Sequence, residues 1–384
     1  MNGDYASQPS LWLPDHVAAL KDSDMASIPL ITADDVSAIV PDFDLWDYWP
    51  VQLEGGDSAS IEGWWLYCVL SSPKLPDPDL RHDIARIRLM MMRNEEWRDC
   101  GNLLPDGHCP GSREWAGTSL YDPGSGAFTL FYTAAGRRGD AERTFEQRIF
   151  QTTGVLTFAD DMAKVDGWSV PVECFVSDDQ DYVLVNQKEG APGMIKGFRD
   201  PALFNDPADG ASYLFFTGSL KQSDSRWNGS IGVARAEAGN LSDWQLLPPV
   251  ISADGLNNEM ERPVPVYSDG HYYLFWSTQT RTFAKGGPSG PNGLYGMVAD
   301  AVLGPYRPLN GTGLVAPNPV EEPFQTYSWW VTSELQVLGF IDLWGLKGRS
   351  VQDDAALRRA QFGAVPAPRF QIALNGDQAH IILP

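Results

Sequence analysis

Leu130-Phe131-Tyr132-Thr133, Leu214-Phe215-Phe216-Thr217 and Leu274-Phe275-Trp276-Ser277 are three copies of one phrase: a leucine, a phenylalanine, a second aromatic and a hydroxyl residue. Their β-branched and aromatic richness marks each as a strand. Each copy is followed by a second strand-like run, at 147–153, 231–236 and 294–299, and then by a third that starts at Trp168, Trp244 or Tyr306. Upstream, 64–70, 84–92 and 97–104 keep the same order, and a degenerate version runs through 331–344 to 370–374 and 380–383. Ahead of each second strand lies a further segment, at 44–52, 114–121, 198–204, 260–267 and 325–331. Four strands per unit, repeated five times, predict an all-β chain folded as a five-bladed β-propeller around a central channel, with little helix. The competing architecture, a β-sandwich followed by a second all-β domain, needs a Pro/Gly/Ser linker that the chain does not offer. Residues 1–40, with Pro9, Pro14 and Pro29 among polar residues, read as an arm packing on a single propeller domain that spans 41–384.

The 384 residues carry 28 Lys+Arg against 50 Asp+Glu, a formal net charge of −22. Such a surface repels polyanions, so neither nucleic acid nor an anionic membrane is an expected partner. No stretch reaches the ~20 apolar residues needed to span a bilayer. The start, Met1-Asn2-Gly3-Asp4-Tyr5, has neither the basic residues nor the apolar run of a secretory signal, which leaves cytoplasmic residence or export without a cleavable signal. Cys68, Cys100, Cys109 and Cys174 form no C-x-x-C pair; a Cys100–Cys109 disulfide fits the spacing, but isolated thiols are the simpler reading. The five histidines show no metal-ligand spacing, so no metal and no cofactor are expected.

Propeller ligands sit at the channel mouth, lined by the first strand of each blade. Those segments carry Trp46-Asp47, Glu114-Trp115, Arg199-Asp200, then Glu259, Glu261 and Arg262, and finally Tyr327. A buried carboxylate costs several kcal/mol unless paired or hydrogen-bonded. Any one of these acids reads as half of an ion pair plugging the channel, Asp47 with Arg199 for example. Their recurrence in blade after blade is what a sugar site needs: acids and arginines for hydroxyls, indole faces for a ring, and two carboxylates to divide the work of glycosyl transfer.

Asp44-Leu45-Trp46-Asp47-Tyr48-Trp49-Pro50, Arg113-Glu114-Trp115-Ala116-Gly117, Phe198-Arg199-Asp200-Pro201 and Glu259-Met260-Glu261-Arg262-Pro263 resemble, in order and spacing, the motifs of the bacterial levansucrase, inulosucrase and β-fructofuranosidase family, glycoside hydrolase family 68. The resemblance implies a five-bladed propeller with an axial pocket and a retaining cleavage of sucrose through a covalent fructosyl-enzyme, with transfer to water or sugar acceptors. It implies Asp47 as nucleophile, Glu261 as general acid/base and Asp200 as the carboxylate that stabilises the transition state. Trp46, Trp115 and Arg199 would line the donor site, and Glu259, Arg262 and Tyr327 its glucose side. A retaining pair stands roughly 5 Å apart, and burial with mutual repulsion is expected to raise the acid's pKa.

The chain departs from the family pattern in three places. Gln279 falls where many polymer-forming relatives carry Arg or His, which favours short products over polymer and places Gln279 on the acceptor side. Asn258 stands where calcium-binding relatives have aspartate, so no calcium is expected. Tyr327-Ser328-Trp329-Trp330 lacks the histidine of some relatives after Tyr-Ser, which reads as packing. A levansucrase making β-2,6-fructan is the alternative enzyme, and a catalytically silent sugar-binding propeller the alternative of another class.

Overall fold

The computed structural model describes residues 8–22, 25–185 and 195–382. Blade one is built from Phe43–Gln52, Trp64–Pro73, Arg86–Arg93 and Glu96–Asn102. Blade two contains Arg113–Asp122, Ala127–Ala135, Gln147–Ala159 and Met162–Asp166. Blade three follows with Phe198–Asn205, Ser212–Ser219, Gly229–Ala236 and Gln245–Ser252. In blade four, Glu261–Ser268, His271–Thr278 and Gly293–Ala299 are completed by an outer position shared between Arg307–Pro308 and Leu314–Pro317. Thr326–Val331, Gln336–Ile341, Phe370–Asn375 and Gln378–Ile382 make blade five. The first strands touch in cyclic order, one to five and back to one, and so close a five-bladed propeller around its channel.

The repeated phrase lies on the second strand of blades two, three and four, where each blade is covered by a neighbour on both faces. Apolar residues are therefore needed on both sides, and Leu130-Phe131, Leu214-Phe215 and Leu274-Phe275 are fully buried, a continuous run rather than an alternation. The outer strand of blade two is not where Trp168 would put it. Its third strand continues to Ala159 and reverses at Asp160-Asp161, whose φ of 51° and 59° suit a tight hairpin, so Met162–Asp166 takes the outer place. Trp168 instead packs edge-on against Phe128, and Val172–Phe175 returns to the first half of the third strand.

Ring closure relies on a short helix, Ala355–Gln361, capped by the Asp354 side chain accepting from the Leu357 amide. Arg359 grips Asp44 with two bonds of 2.6 and 2.9 Å, and Arg358 grips Asp77, which ties an insertion of blade five to blade one. The Leu45 amide also donates to the Ala364 carbonyl. In the described part of the arm, Ser10–Leu11 adds a parallel strand to the edge of blade three. Trp12 is buried edge-on against Trp276, Phe283 and Tyr295 of blade four, its indole N–H donating to the Thr312 carbonyl. Burying so large a ring contributes about 2–3 kcal/mol to docking the arm. Cys68, Cys100, Cys109 and Cys174 are free thiols, so Cys100 and Cys109 are not bridged.

Candidate active site

All five first strands break register at one level. The irregularity lies between Trp46 and Tyr48, Trp115 and Gly117, Arg199 and Ala202, Glu261 and Val264, and Tyr327 and Trp330. Pro201 and Pro263 stand inside two of these bulges, where the missing N–H costs no ladder bond. Asp47, Asp200, Arg262 and Ser328, the first bulged residues of blades one, three, four and five, have φ of 25°, 58°, 51° and 60°. Left-handed backbone is unfavourable for non-glycine residues and collects where side chains must be re-aimed. The bulges make one axial ring of Asp47, Ala116, Asp200, Arg262 and Ser328, and the residues before them a second ring of Trp46, Trp115, Arg199, Glu261 and Tyr327.

The two rings are wired together. Arg199 lies between two carboxylates, 2.5 Å from Glu261 (Nη2 to Oε1) and 3.3 Å from Asp200 (Nε to Oδ2). The Tyr327 hydroxyl donates to the other Glu261 oxygen, and the Gln279 side chain is hydrogen-bonded to that hydroxyl. Arg262 donates from Nη1 to Ser328 Oγ at 2.7 Å and to the Ser328 carbonyl at 3.2 Å, and from Nη2 to the Tyr48 carbonyl at 3.2 Å. Ser328 in turn hydrogen-bonds the Asp47 carboxylate. Asp200 is buried, whereas Asp47 and Glu261 keep partial exposure.

Burial raises the Asp47 carboxyl above its ordinary value, against the opposing pull of Arg262 and Ser328. Burial likewise pushes Asp200 up to about 7, with Arg199 opposing. Glu261 runs opposite to the sequence-based expectation. Its burial would raise it, but the Arg199 guanidinium, the Tyr327 hydroxyl and the charge of Arg281 together hold it below the usual carboxylate range. Burial, then the charge on Glu261, pushes the neighbouring Glu259 up to about 7. The two neighbouring carboxyls are thus pushed in opposite directions, Glu259 up and Glu261 down.

The Trp46 indole N–H is buried with no hydrogen-bond acceptor among the described residues. The Trp115 N–H is spent on the His82 carbonyl at 3.1 Å, so Trp115 can offer only its face. Arg262 bonds Ser328 and Tyr48, and its charge faces Asp47 and Asp200. Asp47 and Arg199 are not partners, since Arg199 is taken by Glu261 and Asp200. Glu114 is structural; it accepts from Arg86 at 2.7 Å and from the Ile87 amide at 2.8 Å. Asn258 accepts 2.7 Å from the Lys196 ammonium, which also donates to Asn228 and to the Arg226 carbonyl.

Sequence reading missed His82 and Arg281. His82 packs edge-on against Trp46 and is kept neutral by burial and by the surrounding Arg81, Arg281, Arg199 and Arg113. Arg281, on the turn Thr280–Thr282, acts electrostatically on Glu259, Glu261 and Asp342. Neither belongs to a repeated strand, so no periodicity marks them. A cavity of about 450 Å³ opens at the opposite mouth, past the ends of the first strands, lined by Gln52, Glu54, Asn205, Asp206 and Tyr267 among others. Asp206 there already accepts from Tyr272, and the converging acids and arginines lie at the bulged end.

A family profile described as Levansucrase/Invertase matches residues 3–226 and 219–383. A levansucrase from Erwinia amylovora is 29% identical over 423 residues, covering 99% of this chain and 95% of its own. A levansucrase from Zymomonas mobilis is 30% identical, covering 98% and 90%. Among solved structures, an inulosucrase from Halalkalicoccus jeotgali bound to kestose superposes with a TM-score of 0.89 at 36% identity, covering 97% of this chain and 95% of that one.

Proposed function

The chain belongs to the levansucrase/invertase family, glycoside hydrolase family 68, and from that premise we propose that it cleaves sucrose with retention and passes the fructosyl unit to water or a sugar acceptor. The observation that carries this reading is the convergence of Asp47, Asp200 and Glu261, each from a different blade, around the buried Arg199 and Arg262. Asp47 attacks the anomeric carbon of the fructosyl unit. As that carbon–oxygen bond forms, the bond to the glucose oxygen breaks and Glu261 delivers a proton to the leaving oxygen. Water or an acceptor hydroxyl then gives its proton back to Glu261, attacks the same carbon and releases Asp47. Asp200 and the Trp46 N–H hold fructosyl hydroxyls as the ring flattens. The test is product analysis on sucrose: glucose release separates an enzyme from a sugar-binding propeller, and the excess of free glucose over free fructose measures transfer. A folded protein that binds sucrose and releases no glucose overturns the reading.

The raised Glu259 carboxyl sets a pH dependence. kcat/KM, which reports free-enzyme ionisations, should fall on the alkaline side as pH rises through about 7, where Glu259 gives up its proton. Glu259→Gln removes the carboxyl that Glu261 raises, while Arg199 and Tyr327 still pull Glu261 down. The alkaline limb should therefore move to lower pH, and an unchanged limb in the variant removes Glu259 as the group behind it.

Gln279 is close enough to the chemistry to affect both steps. A cation at this position would offer an acceptor a charge-assisted hydrogen bond, but it would also sit beside the Tyr327 hydroxyl that donates to Glu261. Gln279→Arg should raise the ratio of transferred to released fructose and lower the cleavage rate several-fold. An unchanged ratio in the folded variant removes Gln279 from acceptor binding. The polymer-forming reading keeps one supporting feature, Arg281, a cation already at this edge of the site.

A further inference from the structure

The hydroxyl that ends the repeated phrase has a use that strand propensity does not explain. Thr133, Thr217 and Ser277 are fully buried, and each lies opposite the residue that precedes its own blade's bulge: Trp115, Arg199 and Glu261. Each hydroxyl reaches across to the next blade. Thr133 accepts from the Asp200 amide at 2.8 Å, Thr217 from the Arg262 amide at 3.0 Å and Ser277 from the Trp329 amide at 2.9 Å. These amides belong to the axial bulges, where lost register removes the strand partner they would otherwise have. In blades three and four the second bulged residue is Pro201 or Pro263, so the bonded N–H is the single amide of its bulge. The equivalent positions of blades five and one are Phe340 and Leu70, which have no hydroxyl to offer.

We propose that Thr133 is a positioning residue for the reaction: its hydroxyl holds the backbone of Asp200 in the left-handed turn that aims its carboxylate at the fructosyl ring, and Thr217 does the same for Arg262. The Thr133 hydroxyl has little left for a ligand, because it donates its proton to the Ala116 carbonyl at 3.2 Å while accepting from Asp200. It thus links the bulges of blades two and three. A φ of 58° at an aspartate persists only where its surroundings over-determine it, and this bond fixes the amide next to the Cα that carries the carboxylate. Reaction geometry is sensitive to shifts of about 1 Å, so a loosened bulge should affect turnover more than binding.

The proposal rests on Asp200 acting in the transition state, and the experiment separates the two claims. Thr133→Val, Thr133→Ser, Asp200→Asn and the double variant Thr133→Val/Asp200→Asn are compared for sucrose kcat, KM and Tm. Thr118→Val serves as control, since that buried hydroxyl donates to Gln52 and bonds no bulge amide. Thr133→Val should lower kcat about tenfold or more with KM within about twofold, Thr133→Ser should restore it, and Thr118→Val should lose only Tm. In the Asp200→Asn background the Thr133→Val loss should largely vanish, because the group it positions is already disabled. If Asp200→Asn cripples kcat and Thr133→Val lowers Tm alone, the positioning role is wrong. If Asp200→Asn leaves kcat intact, the role assigned to Asp200 is wrong. Should Thr133→Val not fold, Thr217→Val against Thr217→Ser decides the question in the same way through Arg262.

Discussion

Replacing Asp47 by Asn is expected to lower sucrose turnover by on the order of 10⁵-fold while leaving Tm at neutral pH unchanged or raised. The loss follows from chemistry: an amide oxygen cannot form the covalent fructosyl-enzyme, so the two-step path closes. The stability statement follows from the direction of the pKa. Burial raises the folded-state carboxyl above its unfolded value, so ionising Asp47 costs stability as pH rises through the window between the two, and a neutral amide avoids that cost. Asn is the right substitution because it tolerates the φ of 25° better than alanine and can still meet the Ser328 hydroxyl. Steady-state glucose release and a thermal melt check both halves. Substantial turnover in the folded variant would end the assignment of Asp47 as nucleophile.

Glu261→Gln should separate the two halves of the reaction. With sucrose, whose glucose oxygen must be protonated as it leaves, kcat should drop by about 10²–10⁴-fold. With fructosyl fluoride, whose leaving group needs no proton, formation of the covalent intermediate should remain fast. Its breakdown should stall, because no carboxylate activates the incoming water. The expected signature is a burst of one fluoride per active site followed by slow release. Gln is preferred to Ala because its amide still fills the space between Arg199 and Tyr327, whose bonds to Glu261 brace the site. Equal losses on both substrates without a burst would remove Glu261 from the role of acid.

The strand phrase, the five first-strand segments and the acids upon them are legible in the sequence, because a propeller repeats one local unit and each copy imposes the same burial pattern. Where the unit is irregular the reading weakened. Trp168 has the residue type that starts outer strands elsewhere, but the Asp160-Asp161 turn supplies the outer strand of blade two first. Asp44 stood in the same motif as Asp47, yet its carboxylate holds Arg359 and closes the ring. His82 and Arg281 lie on turns between strands, where no period points to a site.

The sequence by itself determined the all-β repeat, the family and the set of acids and aromatic residues on the channel strands, since these depend on residue type and order. Only the tertiary structure decided which charges face each other: Arg199 with Glu261 and Asp200, Arg262 with Asp47 by way of Ser328. It also decided that the Glu259 carboxyl is pushed up while Glu261 is held down, and that three strand hydroxyls bond the bulge amides of their neighbours. The physical reason is distance. Partners such as Thr133 and Asp200, or Arg262 and Ser328, are more than sixty residues apart in the chain and come from different blades. Coulomb and hydrogen-bond energies depend on separations of a few ångströms, and the closed ring of bulged strands alone sets those separations.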